Sequence, residues 1–412
     1  FPYTTLFRSS SEDVATFELT PKFVQPLRQA MQQEEGRAPE QARRFVVRSQ
    51  IQHGPLPGFS GLGLASVHSS LELDDPLVTK LYAGKSPLTI DTQIDFSGAG
   101  REQVRSPAVE GMVDGVQQFA WGELALNIDF NHDASVWTIQ GGLPFIKMRS
   151  MDEPLQLEMK GLSLEGKQTR VSSAHPGLYT GPLKLQLQSM DTQSGDAERP
   201  PIHMENLVAQ SNVTEKAGFI DMTAAYAIDT LSVGEQTFKA AHFDLALRHL
   251  QTAALAELNT IAQTTNSAHE PDAAQLKSML RPAQVLLENS PEIAIERMGV
   301  TTAEGEVKTS AVVRLPNARV GDLGQVAENP LLLMSLASVL EAQAHVEAPL
   351  ALIKPNLDQK QAEQLAALIQ AGYVINKGNQ LALSFSYAQG KMTINGQPLD
   401  LDKMGGMVGG QD

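Results

Sequence analysis

LALNIDF, residues 124–130, has a large apolar side chain at every second position, an alternation of period two. Successive side chains of a strand point to opposite faces of a sheet, so this alternation is typical of a strand with one buried and one solvated face. Asn127 and Asp129 belong to the solvated face. The predicted apolar face carries Leu124, Leu126, Ile128 and Phe130.

The same alternation recurs on both sides of this segment. An earlier strand places Asp91, Gln93 and Asp95 on its polar face. Its predicted apolar face carries Leu88, Ile90, Ile94 and Phe96. Further strands are predicted within residues 155–159, 183–187, 243–247, 292–315, 340–349 and 381–394, and the last of these forms a hairpin that leads into an Asn395-Gly396 turn. Because short Gly, Asn and Asp turns favour antiparallel neighbours, the sequence predicts an α+β fold that is β-rich and mostly antiparallel, with a large curved or elongated sheet.

A few helices are predicted, mainly in the C-terminal half. They cover Thr252–Thr264, Asp272–Leu287 and Asp358–Ala371. Pro282 is expected to kink or divide the second helix, because proline lacks the backbone N–H that an interior turn uses. The third has the best end signals, with Asp358 as N-cap, Gln361 three residues later and Gly372 after its end.

Length and composition predict a globular chain of about two to three domains. The chain has 412 residues, of which 42% are hydrophobic and 19% charged. Residues 1–9 have no starting Met and resemble translated sequencing-adaptor read-through, so they are excluded from the fold. We expect a strand-rich part over residues 10–250, a mixed helix and strand part over 251–404, and a Gly-rich mobile tail over 405–412. One continuous sheet could run through both parts.

Charge and residue usage exclude several classes of function. The formal net charge of −15 repels phosphate backbones, so nucleic acid is not an expected partner. Without cysteine the chain has no thiolate catalysis, no Cys-containing zinc site and no disulfide. No apolar run reaches the roughly 18–20 residues that a membrane-spanning helix needs.

No catalytic, cofactor-binding or metal-binding residues are predicted. The nine histidines lack metal-ligand spacing. Asp129, Asn131 and Asp133 resemble the start of a calcium loop, but Ala134 and Gln140 stand where its Gly and Glu belong. A polar turn is therefore favoured.

A different kind of motif follows the strand that contains Val47 and Ile51. Residues His53, Gly54, Pro55 and Leu56 predict a rigid, extended turn, in which proline restricts φ and glycine supplies conformational freedom.

These motifs together resemble the YdgA family of uncharacterised bacterial envelope proteins. The resemblance rests on the turn at residues 53–56, the segments within residues 75–98 and the ending over residues 381–396. It implies a short N-terminal membrane anchor, with the bulk of the chain on the periplasmic side of the bacterial inner membrane. It implies no reaction and no cofactor. The sequence departs from the family pattern at residues 1–9, where the anchor is expected.

Three hypotheses for function follow. The first is a non-enzymatic, membrane-anchored envelope protein with a structural or interaction role, whose partners are lipid or other envelope proteins. The second is a lipid-binding or lipid-transfer protein similar to AsmA-like proteins, in which the eight apolar residues between Leu88 and Phe130 form a groove. In the alternative to that groove, the same residues form an ordinary core. The third, an envelope hydrolase, has no motif support.

Overall fold

The structure is a computed structural model that describes residues 10–19, 43–56, 62–73, 76–113, 117–151, 155–195, 199–264, 273–319, 323 and 336–399. The predicted artefact at residues 1–9 and the predicted tail at 405–412 lie outside these ranges. The described residues form 21 strands of one sheet, and the strand registers given below are antiparallel. This confirms the predicted fold class, while the curved or elongated shape stays a prediction.

The strands differ greatly in length. In chain order they are β1 Ser10–Leu19, β2 Arg43–His53, β3 Ala65–Leu73, β4 Thr89–Ile94, β5 Gly100–Ser106, β6 Val109–Val113, β7 Gln117–Trp121, β8 Leu124–Phe130, β9 Val136–Ser150, β10 Gln156–Ser172, β11 His175–Gln193, β12 Ile202–Lys216, β13 Phe219–Val233, β14 Gln236–Gln251, β15 Glu292–Thr302, β16 Gly305–Arg314, β17 Glu341–Pro349, β18 Ile375–Lys377, β19 Gln380–Ala388, β20 Lys391–Ile394 and β21 Gln397–Pro398. The helices are α1 Pro76–Leu81, α2 Thr252–Thr264, α3 Ala273–Glu288, α4 Leu350–Ile353 and α5 Gln359–Gln370, with a 3₁₀ turn at Lys354–Asn356.

The three predicted helices are confirmed with small differences at their ends. Pro282 lies inside α3 without ending it, and its side chain is fully buried. In α5 the Asp358 carboxylate accepts a hydrogen bond from the Gln361 backbone at 2.7 Å, and the Gln361 side chain accepts one from the Asp358 backbone at 3.0 Å. This is the reciprocal capping box that the sequence predicted.

The chain forms two compact units, and neither is one continuous stretch. The first contains residues 1–169 and 183–203, and the second contains residues 170–182 and 204–412. The predicted change near Leu250 coincides with the passage from β14 to α2. That position lies within the second unit.

In the first unit, β1, β2, β3, β4, β5, β8, β9 and β10 pair in that order. Strands β6 and β7 continue the β5–β8 pair, and β7 pairs with the second half of β9. The long hairpin is interrupted at Pro107, which has no N–H for the ladder, and across from it at Gly122, whose N–H bonds the Phe145 carbonyl at 3.0 Å.

In the second unit, β13, β14, β15, β16, β17 and β19 pair in that order, and β18 and β20 also pair with β19. Helices α2 and α3 connect β14 to β15 and contact each other and β14. Buried side chains on these elements are Ile220, Ala246, Ala254, Pro282 and Ala294.

Candidate functional site

The predicted apolar residues of the first unit share one face of the sheet, although their strands are not neighbours. Strand β5 lies between β4 and β8 and pairs with both. Val104 is opposite both Ile90 and Leu126, and Gly100 is opposite both Ile94 and Phe130. Directly paired residues of antiparallel strands project to the same side. We call this surface, from β4 across to β9, the first apolar face.

The strand side chains of the first apolar face are half-buried, apart from Ser106 on β5, which is buried. Leu124, Leu126, Ile128 and Phe130 alternate with exposed Asn127 and Asp129, as predicted. Leu88 and Phe96 flank β4 and do not belong to it. Phe96 is 57% exposed because the chain turns there, with the Asp95 carboxylate accepting hydrogen bonds from the backbone and hydroxyl of Ser97.

The opposite face of this unit carries cross-strand ion pairs. Arg48 bonds Glu12 at 2.7 Å and Glu72 at 3.0 Å. Arg101 bonds Asp129 at 2.6 Å. Since these side chains are exposed, they add little to stability. They do establish that this face is polar.

A cavity of about 410 Å³ lies at one end of the first apolar face. Ile94 and Phe130 line it together with Leu62. Gly100 also lines it, and a Cβ there would stand 2.4 Å from Cζ of Phe130. Polar lining comes from Asp95 and from four residues of the polar face, so the cavity lies at the strand ends, where the two faces meet. Those four are Ser66, Gln93, Arg101 and Asp129.

Hydrogen bonds favour the charged forms of Asp95 and Arg101 in this lining. Hydrogen bonds from Ser97 lower the pKa of the Asp95 carboxyl. The hydrogen bond to Asp129 raises the pKa of the Arg101 guanidinium. The cavity therefore joins an apolar wall to a charged rim, which suits an amphipathic ligand.

The motif turn is hydrogen-bonded to the segment that lines the same cavity. The Gly54 N–H donates to the Leu64 carbonyl at 2.6 Å, and the Gly63 N–H donates to the Pro55 carbonyl at 3.1 Å. A Cβ on Gly54 would stand 1.9 Å from the Gly63 carbonyl oxygen, so the close approach requires glycine there. Gly63 lines the cavity, whereas His53 is exposed at the end of β2 and does not line it.

The second unit has an apolar surface that the sequence reasoning did not single out. Its exposed members, with exposed fractions between 37% and 54%, are Tyr226, Ile293, Met298, Val313 and Val346. Registers place them on one face, in two rows that flank a middle row of half-buried residues. That middle row is Ala224, Leu245, Ile295, Ala311, Ala344 and Phe385. We call these three rows, on β13 to β17 and β19, the apolar band.

The face opposite the apolar band carries an ion-pair network. The Glu292 carboxylate accepts hydrogen bonds from Arg248 and Arg314, and Arg297 bonds Asp244 at 2.8 Å. Burial raises the pKa of Glu292, but the hydrogen bonds from Arg314 and Arg248 outweigh burial and lower it. Glu292 is thus held as a carboxylate.

A second cavity in the first unit, of about 330 Å³, gathers charged groups that neutralise one another. Glu158 lines it and bonds Lys147 at 3.0 Å and Lys160 at 3.3 Å. The hydrogen bonds from the two lysines lower the pKa of Glu158, whereas a general acid needs a raised one. Within the described ranges no group of His, Asp and Glu is arranged to hold a metal ion, and no helix is long and apolar enough to cross a bilayer.

Comparison with known proteins assigns the family. The model of a family of bacterial proteins of unknown function, DUF945, matches residues 10–402. The chain belongs to this family. Protein YdgA of Escherichia coli (strain K12) is 21% identical over 401 residues, which cover 88% of this DUF945 chain and 79% of that protein. The predicted YdgA-like resemblance is confirmed, and no solved structure gives a significant match.

Sequence reasoning found one of the two apolar surfaces of this DUF945 protein. Alternation at Phe243, Leu245 and Leu247 was visible, but it gave no sign that the face would stay uncovered. A bulge on β15 between Ile295 and Met298 also interrupts the period there. The surface could have been predicted from the recurrence of the alternating pattern in consecutive strands, because the apolar sides of paired strands form one surface.

Proposed function

We propose that this protein is a non-enzymatic component of the bacterial envelope that binds lipid, with an acyl chain on the first apolar face and the polar end of the lipid at its cavity. The observation that carries the proposal is the convergence of Ile94, Phe130 and Leu62 on the 410 Å³ cavity. Small-ligand sites commonly combine an apolar wall with a few polar groups at such volumes.

The dimensions support an acyl chain. From β4 across β5 and β8 to β9 the face spans about 14 Å, since adjacent strands lie about 4.8 Å apart. That is close to half the thickness of the roughly 30 Å hydrocarbon core of a bilayer. Each methylene that leaves water contributes about 0.8 kcal/mol, so a chain of this length gains enough to offset its immobilisation.

The non-enzymatic part of the proposal rests on the charged groups. One carboxylate at each cavity, Asp95 at the first and Glu158 at the second, has a lowered pKa, which makes it a weak base at neutral pH. Their partners are solvent-exposed lysine, arginine or serine side chains, as in ordinary surface ion pairs.

The resemblance to a family of envelope proteins supports the proposed envelope location. A protein on the periplasmic side of the inner membrane, tethered by an N-terminal anchor, would meet lipids directly. Localisation of a tagged full-length protein by fractionation and protease accessibility tests this part of the proposal.

The binding test compares two adjacent residues of β8 that face opposite ways. Leu126→Lys places a charge on the first apolar face, and Asn127→Lys places the same charge on the polar face. Delipidated protein is titrated with a fluorescent fatty acid, and bound lipids of the untreated protein are identified by mass spectrometry. We expect Leu126→Lys to weaken binding at least about tenfold, equivalent to about 1.4 kcal/mol, and Asn127→Lys to leave it unchanged.

Circular dichroism separates a binding defect from misfolding. If Leu126→Lys does not fold, Phe130→Ala replaces it, because that change removes a wall of the cavity without adding charge. A wild-type protein that is free of lipid and does not bind the fatty acid would refute the proposal, as would equal binding by the two lysine variants.

A further inference from the structure

We infer that the apolar band of the second unit is a separate binding site for a lipid acyl chain. This inference rests on the proposed function only because both name a lipid as the ligand. The apolar band uses none of the residues of the first apolar face. Its five exposed members lie on β13, β15, β16 and β17, and the half-buried apolar residues of the three rows connect them into one surface. Exposed apolar patches of this kind mark interaction sites, whereas scattered single residues do not.

The relief of the band suits a thin, elongated ligand. Its two outer rows contain the exposed side chains, such as Val313 and Val346, while the middle row is half-buried. Ala224, Ala311 and Ala344 lower that middle row at three of its six positions. The outer rows are four residues apart along each strand except β15, where the bulge makes the separation five, and four residues span about 13 Å. Across six strands the row is about 24 Å long.

The chemistry of the band selects hydrocarbon. Its three rows contain no charged side chain, and their polar groups are the hydroxyls of Thr309, Tyr226 and Tyr387. A charged headgroup would find no ion-pair partner there, whereas a hydrocarbon chain needs none. The ion pairs of this unit, including Arg248 with Glu292, lie on the opposite face.

The area of the band argues against a second copy as the occupant. About 24 Å by 13 Å gives roughly 310 Å² per copy and roughly 620 Å² for two copies. A stable interface buries about 1,200–2,000 Å². An acyl chain needs far less surface, and it fits within the long dimension of the band.

The experiment labels the full chain with a photoreactive fatty acid and locates the adducts by peptide mass spectrometry. Val313→Lys charges the band at an exposed position, and Gln343→Lys charges the opposite face of neighbouring β17 at an exposed position. We expect Val313→Lys to reduce labelling of β14 to β17 at least about tenfold and to leave labelling of residues 88–130 intact. Gln343→Lys should change neither, and Ile293→Lys replaces Val313→Lys if that variant does not fold.

This experiment tests the two proposed binding sites independently. Leu126→Lys should remove the label on residues 88–130 and spare the band, so its result tests the proposed function alone. A wild-type chain without label on the band, or a Val313→Lys variant that labels normally, overturns the inference. So does a wild-type dimer in analytical ultracentrifugation that Val313→Lys converts to monomer with labelling unchanged, because a second copy then occupies the band.

Discussion

The two apolar surfaces of this protein come from the same alternating pattern and differ in what surrounds it. The first apolar face includes polar members, among them Thr92 and Glu102, and its strand residues are half-buried, apart from buried Ser106. The apolar band has no charged member and exposes five large side chains. Alternation therefore identifies which side of a strand is apolar, whereas neighbouring strands decide whether that side is open to solvent.

The largest expected difference between the two surfaces is the loss of stability when a residue is replaced by a larger one. Gly100→Val should destabilise the first unit by about 3 kcal/mol, because its Cβ would stand 2.4 Å from the Phe130 ring and 2.8 Å from the Gln93 carbonyl. Ala311→Val, in the half-buried middle row of the band, should cost less than about 1 kcal/mol. Tryptophan fluorescence during urea unfolding measures the first change, since both tryptophans, Trp121 and Trp137, lie in the first unit. Circular dichroism during urea unfolding measures the second, and equal losses of stability for the two variants would contradict this expectation.

The ion pairs on the two polar faces should also differ in how much they contribute to stability. Glu292→Gln should destabilise the second unit by about 2 kcal/mol, because it removes charge-assisted hydrogen bonds from Arg248 and Arg314 at a largely buried carboxylate. Glu72→Gln in the first unit removes an exposed partner of Arg48 and should leave the unfolding temperature unchanged. Calorimetry of the two variants measures the comparison, and a larger effect at Glu72 would reverse it.

Low pH should destabilise the second unit by protonating Glu292. The pKa of Glu292 is lowered in the folded chain, so its stabilising contribution is complete above the unfolded value of 4.5 and is lost as pH falls through the folded value. We expect the stability difference between wild type and Glu292→Gln to shrink below pH 4.5. Urea unfolding at pH 7 and at successively lower pH values checks this, and a constant difference would exclude the assigned role.

The smallest expected effects come from truncating one side chain on each surface. Leu126→Ala, at a half-buried position, should cost about 1–2 kcal/mol, and Val346→Ala, at an exposed position, less than about 0.5 kcal/mol. Chemical denaturation followed by circular dichroism measures both. A larger loss at Val346 would mean that the band is covered in solution.

The predictable parts of the fold are those governed by local chemistry. The capping box of Asp358 and Gln361 fixes the start of α5, and the Asn395-Gly396 turn has both residues at positive φ, as a tight hairpin requires. Strand β8 was predicted with its bounds because its alternation is unbroken.

The unpredicted parts depend on partners that are distant in sequence. Strand β5 joins the two predicted stripes, yet its residues on that face, Gly100, Glu102, Val104 and Ser106, show no apolar alternation. The cavity likewise depends on Leu62 and Gly63 reaching the end of β4, where the Leu64 N–H donates to the Ile94 carbonyl. Neither contact has a local sequence signal.

The interleaved membership of the two units has a consequence for how the chain is made. Residues 170–182 belong to the second unit, and residues 183–203 return to the first. Since a nascent chain leaves the ribosome from its N terminus, the first unit reaches completion only when residue 203 has emerged, with a piece of the second already exposed. A gene shortened to end at residue 203 would therefore also encode residues 170–182, without the rest of the unit to which they belong.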